Sequence, residues 1–400
     1  MRVPSQPHKR YTAAVSIPEN LRPIVVGVVG AVAAFFVFRS SGGGKGSDPL
    51  DAIPRDSFLV ATVDMGELRR SPVYLALAGD KDGETDAMIG RALGIGRLKE
   101  ACGFDPSSRV LKIAAAVPEE SSDKGDFGLA ARVDVTEAEL EKCAHALADK
   151  RGGHAEIKQE RGFAVLETSE GPSGARIAYG KDHLLVVGKG AWFDAMLAAA
   201  DHVKPGVRDA QAHAAVRASM TSHEGWKNPT VLVSAVLPQS LRDRLKREMG
   251  VDRADDPSNT MMGGVLDVAS IGFAVRAGET GGNVDAAVEL VCEGADACVA
   301  VEKLVQKKRF DWAKDLTMRM IGLGPVFDSF QVKRDGIHLR ATASASANGL
   351  ASTLERILRF RSRPSADMRP PPVRPPPRPD ETFGRDAGAG GAGGAGDKKP

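Results

Sequence analysis

Between Phe58 and Leu358 the chain switches repeatedly between apolar runs of strand length and helical stripes, and the switches follow the same order twice. In the first half, Phe58–Val63 reads as a strand, followed by a helical region beginning near Glu67. Two more strands are predicted over Val110–Val117 and Phe127–Val135. A helix then starts at Thr136, where Thr136 and Glu139 carry the spacing of a capping box. Leu140, Cys143, Ala144 and Leu147 follow at i, i+3, i+4 and i+7, which puts them on one buried stripe. Two hairpins come next, Ile157–Leu166 turning near Arg161-Gly162 and Ile177–Val187 turning near Lys181-Asp182, and Ala191–Val203 closes the half as a helix.

The second half opens with strand Val231–Leu237 and a helix with Ser240 as its predicted cap and Leu241, Leu245 and Met249 on one face. Strands Ile271–Val275 and Val284–Val291 follow, joined through Glu279-Thr280-Gly281-Gly282. A long helical region after Cys298 leads to the hairpin Phe330–Ala341, with Asp335-Gly336 at its tip, the strongest hairpin signal in the chain. A last helix directs Leu350, Leu354, Ile357 and Leu358 toward the core. The shared order is strand, helix, strand pair, helix, hairpin, helix. It predicts an α+β fold of two similar domains, each with helices packed on a mainly antiparallel sheet, over 51–205 and 206–361.

Ahead of this body stands one unbroken apolar run, Ile24–Phe38, between Arg22 and Arg39. As a helix its uncharged stretch spans roughly 24 Å at about 1.5 Å per residue. That is short against a hydrocarbon core of roughly 30 Å, but Arg22 and Arg39 can snorkel to the headgroups. Arg2, Lys9, Arg10 and Arg22 precede the run, and only Arg39 and Lys45 follow it closely. The positive-inside bias then keeps residues 1–23 in the cytoplasm and exports the rest. The expectation is a single-pass protein of a bacterial inner membrane with a periplasmic body. A cleaved signal peptide is the alternative, because Ser40-Ser41-Gly42 offers small residues for cleavage; the long polar leader and Arg39 stand against it. Both readings export the body. A buried core helix fits poorly, since residues 39–50 form a Gly-rich linker.

Export changes the meaning of the four cysteines, which in an oxidising compartment read as a disulfide framework. Four cysteines permit three pairings, and the economical one is Cys102 with Cys143 and Cys292 with Cys298, one bridge in each half. Cys143 and Cys298 then occupy similar places in the repeated order. Zinc is a poor reading, because there is no Cys-x-x-Cys and no histidine is placed to complete a site.

Composition adds little. The net charge of +2 favours no partner class, and aromatics at 5% leave the core to Val, Leu, Ile and Ala. No basic face with interleaved aromatics argues for nucleic acid. Gly42-Gly43-Gly44-Lys45-Gly46-Ser47 lacks the spacing of a phosphate loop, and Ser121-Ser122-Asp123-Lys124 lacks the companion motifs of penicillin-recognising enzymes. His145 and His154 do not make a metal pair, and no catalytic residue, cofactor or metal is expected. Two features fit binding. Met261-Met262-Gly263-Gly264 and Met318-Arg319-Met320 supply adaptable apolar material suited to lipids or peptides, with core filling the plainer use. The tail, residues 362–400, contains Arg369-Pro370-Pro371-Pro372-Val373-Arg374-Pro375-Pro376-Pro377-Arg378-Pro379, an extended polyproline II segment before a disordered Gly/Ala tract.

Pro54-Arg55-Asp56-Ser57-Phe58, Val63-Asp64, Leu68, Ser71-Pro72 and Cys102-Gly103-Phe104-Asp105-Pro106 together resemble uncharacterised envelope proteins of myxobacteria and their relatives. The resemblance implies an N-terminal anchor and a duplicated α+β exported region, and it carries no active-site residues. The expected role is non-enzymatic: an envelope scaffold or assembly module reaching a protein partner through its Pro-rich tail, or alternatively a periplasmic binder of lipid or another apolar ligand.

Overall fold

The computed structural model describes residues 48–71, 73–74, 102–104, 106–118, 127–150, 155–168, 175–180, 182–223, 225–249, 263–277, 282–320 and 322–353. Ile24–Phe38, the Gly-rich linker to Ser47, the Ser121–Lys124 turn, His154, Met261-Met262 and the Pro-rich tail lie outside the described residues. No helix among the described residues is long and apolar enough to cross a membrane.

Twelve strands form one antiparallel sheet. The first half supplies β1 (Ser57–Asp64), helix α1 (Met65–Arg70), the short α2 (Pro106–Arg109), β2 (Val110–Pro118), β3 (Gly128–Val133) and α3 (Glu137–Lys150). It continues with β4 (Ala155–Glu160), β5 (Phe163–Thr168), β6 (Ala175–Gly180), β7 (Leu184–Lys189) and α4 (Gly190–Ala200). Helix α5 (Gln211–Ser222) crosses to the second half, which supplies β8 (Val231–Val236), α6 (Gln239–Glu248), β9 (Val268–Ala277), β10 (Asn283–Cys292) and α7 (Ala295–Lys314). The short α8 (Leu316–Met320) and α9 (Gly324–Ser329), then β11 (Gln331–Asp335) and β12 (His338–Ser346), complete it before a helical stretch over 347–353.

Local signals account for many of these bounds. The Asp64 carboxylate accepts from Glu67 N at 2.8 Å and starts α1. Thr136 and Glu139 close their capping box reciprocally, at 2.9 and 3.2 Å, as their spacing predicts. The β4–β5 loop is Arg161-Gly162, both left-handed at φ 53° and 78°, the backbone of a tight hairpin. The β11–β12 loop is Gly336-Ile337, one residue beyond the expected Asp335-Gly336 tip, because Asp335 closes the ladder against His338. Two further readings need correction. Ser240 is inside α6, whose N-cap is Pro238, and Met249 is exposed while Arg242 is the buried side chain of that helix. The cause is electrostatic: Arg242 pairs with Glu293 and Lys246 reaches Asp267 at 2.5 Å, so α6 docks through charges as well as leucines.

The strand order runs β11-β12-β10-β9-β8-β1-β2-β3-β7-β6-β5-β4. From the centre outward, the first half reads β1, β2, β3, β7, β6 and the second reads β8, β9, β10, β12, β11. Position for position these are the same steps of the repeated order, and β5-β4 is an additional outer hairpin on the first half. The opening strands of the halves pair antiparallel with each other, Ala61 opposite Val233 and Val63 opposite Val231. The halves read as two domains therefore share one continuous sheet. Its outermost strands carry Lys158 on β4 and Lys333 on β11, which discourages further pairing.

One face of the central strands is covered by α4 and α5. Helix α4 lays Trp192, Phe193, Met196 and Leu197 on Val60, Ala114, Ala130 and Val186. It lies close because Gly188 on β7 leaves room: a Cβ there would stand 3.2 Å from the Phe193 Cα. Helix α5 lies equally close over β9, where a Cβ on Gly272 would meet Met220 Cγ at 2.7 Å. The bridges are Cys102–Cys143 and Cys292–Cys298, the pairing read from the sequence, with all four cysteines buried.

Candidate functional site

Two groups of side chains stand out. The first lies under α5, at the junction of the halves. His213, Val216 and Met220 fall on the buried stripe of that helix. The Ser57 carbonyl, 2.8 Å from His213 Nε2, can only accept, so Nε2 carries the proton and Nδ1 accepts from the Ser234 hydroxyl at 2.9 Å. Burial pushes the His213 pKa down, the Ser57 contact opposes it, and the Arg217 charge adds to the fall. The imidazole is neutral in the fold. One turn on, Arg217 Nη2 donates to Thr62 Oγ1 at 2.7 Å, and burial lowers its pKa to about 10, leaving it charged at neutral pH.

The same seam extends to β10 and β12. Buried Glu289 accepts from Ser219 Oγ at 2.6 Å, contacts His338 Nδ1 at 3.1 Å and faces Arg340 directly across the ladder, at 3.5 Å. At the other end, Asp48 holds Lys112 and Arg208, each at 2.7 Å, and Arg208 also reaches Asp51 at 2.7 Å. Burial raises the Asp48 pKa, but the Lys112 hydrogen bond, the Leu50 N–H and the two cations outweigh it, and the net direction is down.

A histidine accepting from a serine has the outline of an activated nucleophile. The geometry here serves another purpose. His213 is 2% exposed and Ser234 0%, and Nε2 is held by a backbone carbonyl rather than a carboxylate. His213 touches β1 and β8 at once and Arg217 touches β1, so α5 pins the two central strands together. Sequence reading passed over α5 altogether. Its signal was the i, i+3, i+7 spacing of His213, Val216 and Met220.

The second group is exposed. Helix α7 buries Cys298 and Val301 near its start, and its C-terminal half carries Phe310 at 59% exposure and Trp312 at 45%. Leu316 at 71% and Met320 at 68% follow on α8. Phe310 stands in a basic setting, and Trp312, about 200° further round the helix, does not share that face. Lys303, Lys307, Phe310 and Lys314 fall at i, i+4, i+7 and i+11, one face of α7 opposite the buried stripe. Lys314 Nζ lies 3.7 Å above the Phe310 ring. Trp312 leans on Phe327 of α9, ring centroids 5.7 Å apart, and Arg319 ties α8 back by donating to Ala313 O at 2.6 Å. Lys303, Lys307 and Lys308 form no ion pair with a described residue.

Of the positions singled out in the sequence, Met320 belongs to this exposed group and Met318 is half-buried beside it. His145 is exposed on α3. Among the described residues no group of three or more His, Cys, Asp or Glu side chains is placed to hold a metal ion.

No family model matches the chain. No curated protein matches it either. Among solved structures, one titled "Structure of crystal form I of TP0453" aligns with a TM-score of 0.38 at 12% identity, over 79% of this chain and 100% of that one.

Proposed function

We propose that the protein is a membrane-anchored module of the bacterial envelope that acts by surface contact, as a scaffold or binding component, rather than by catalysis. The single observation that carries this reading is the exposed set Phe310, Trp312, Leu316 and Met320 on α7 and α8, beside Lys303, Lys307 and Lys308 of α7, which form no ion pair with a described residue. Large apolar side chains left in water beside aromatic and cationic neighbours are the composition of a contact surface. The apolar run Ile24–Phe38 with its positive leader supports an anchor, and two buried cystine bridges fit an oxidising compartment. The Pro-rich tail is the candidate arm toward a protein partner.

The test has two parts in intact bacteria. Alkaline phosphatase fused after Phe360 should be active, as it is only outside the cytosol. A photo-crosslinking residue at Phe310 should give adducts that the same residue at Glu160, on the outer β4 strand, does not. An inactive fusion, or equal labelling at both sites, overturns the reading.

A further inference from the structure

We infer that the outward face of α7, with Leu316 and Met320 of α8, docks on a bilayer surface containing anionic phospholipid. The inference rests on the anchored reading above and names what the contact surface meets. Between Lys303 and Met320 the chain carries six basic residues against two acidic ones, Asp311 and Asp315. Asp315 is engaged at the start of α8, accepting from Thr317 N at 2.7 Å. The basic side chains flank the apolar ones rather than forming a separate patch: Phe310 sits among Lys303, Lys307 and Lys314 on one helical face.

That arrangement suits an interface where rings and aliphatic tips enter the acyl boundary and ammonium groups reach phosphates on stems long enough to snorkel. A purely apolar partner would leave the lysines desolvated and unpaired, and a purely acidic one would leave Phe310, Leu316 and Met320 in water. A headgroup layer over hydrocarbon satisfies both sets at once. The anchor makes the encounter local. The nine residues from Arg39 to Ser47 extend at most about 32 Å. The body is thus held beside the membrane, and a contact too weak for a free protein becomes occupied.

The probe is a tryptophan at position 310 itself, because Trp312 lies about 200° further round α7, on the side of Val301, where it leans on Phe327. The full-length double variant Phe310→Trp, Trp312→Phe is reconstituted in vesicles whose acyl chains carry bromine, made of phosphatidylcholine with or without phosphatidylglycerol. Trp192 and Trp226 are buried and give a constant background. With phosphatidylglycerol, emission from position 310 should be lost, a fall of roughly a third in total tryptophan emission. Phosphatidylcholine alone should leave it. The fall should vanish in Trp312→Phe with Phe310 in place, and when Lys303→Glu, Lys307→Glu and Lys314→Glu, whose positions are all exposed, are added to the reporter. Should those charge changes cause misfolding, the reporter alone still decides the matter, because raising salt from about 0.05 to about 0.5 M should screen the attraction and restore emission.

Equal quenching with and without phosphatidylglycerol, quenching retained when Phe310 is in place and Trp312 is replaced by Phe, or indifference to salt overturns the inference. So does an unquenched reporter at position 310 in the anionic vesicles, including the case where an acidic protein or a second copy labels Phe310 in cells. The two readings fail separately: an active phosphatase fusion with an unquenched reporter removes only the lipid contact, and an inactive fusion with quenching removes only the exported placement.

Discussion

Replacing His213 with phenylalanine tests the claim that α5 pins the two central strands. The ring volume is nearly kept, so the main change is loss of two nitrogens. The Ser57 carbonyl loses its Nε2–H donor at 2.8 Å and the Ser234 hydroxyl loses its acceptor at 2.9 Å, both in a site sealed from water. An unsatisfied buried polar group costs about 1–3 kcal/mol. The Ser234 hydroxyl can rotate toward another acceptor, so the expected loss is about 2–4 kcal/mol for the pair of contacts. Urea unfolding of the full-length protein in mild detergent at pH 7.5, followed by far-ultraviolet circular dichroism, should show a lower midpoint with an unchanged slope.

The same variant predicts a pH dependence whose sign follows from the lowered His213 pKa. Unfolded histidine titrates near 6.5, and folded His213 titrates below that. Between the two values the unfolded chain binds the extra proton, so stability rises with pH across the window. The contribution is fully present above about pH 6.5 and is lost as pH falls through the folded value. The wild type should weaken by up to about 1.4 kcal/mol per pH unit in that window from this group, and His213→Phe lacks that component. The gap between the two proteins should therefore shrink as pH falls from 7.5 to 5. A loss below about 1 kcal/mol at pH 7.5, or a gap constant over that range, would refute the pin.

Two further outcomes follow from packing and connectivity. Gly272→Ala puts a methyl 2.7 Å from Met220 Cγ and 3.1 Å from Val216 Cγ1 and should cost about 1–3 kcal/mol by thermal unfolding. In a Met220→Ala background the same change should cost less than about 1 kcal/mol, and additive effects in the double-mutant cycle would contradict close α5 docking. The bridges should rank by the chain they close. With separations of 41 and 6 residues, loss of Cys102–Cys143 as a double alanine variant should cost about 4 kcal/mol and loss of Cys292–Cys298 about 2. Equal midpoints in urea would show that strain or residual structure, rather than loop closure, sets their worth.

What the sequence made legible were features whose signal is local. Apolar runs of strand length found β1, β2, β8, β9 and β10 to within a few residues, and Thr136 with Glu139 marked the start of α3. Strand order was not legible, because β7 beside β3 and β12 beside β10 are long-range choices. They depend on which apolar faces meet, and no turn residue encodes that. Helix α5 was missed for a different reason: its buried stripe interleaves Val216 and Met220 with His213 and Arg217, so its apolar pattern is thin. Those polar side chains are buried because each finds a partner on a central strand, Ser57 and Ser234 for His213 and Thr62 for Arg217. The exposed surface was half legible, since Met318-Arg319-Met320 stands out in the sequence while Phe310 and Trp312 carry no mark of their own within the long helical region after Cys298. A helical stripe reports which residues share a face, but only the position of α7 shows that Phe310 points away from the sheet. The two groups thus divide the labour. Buried polar contacts under α5 join the halves, while Phe310 and Lys303, Lys307 and Lys314 stand exposed on one face of α7.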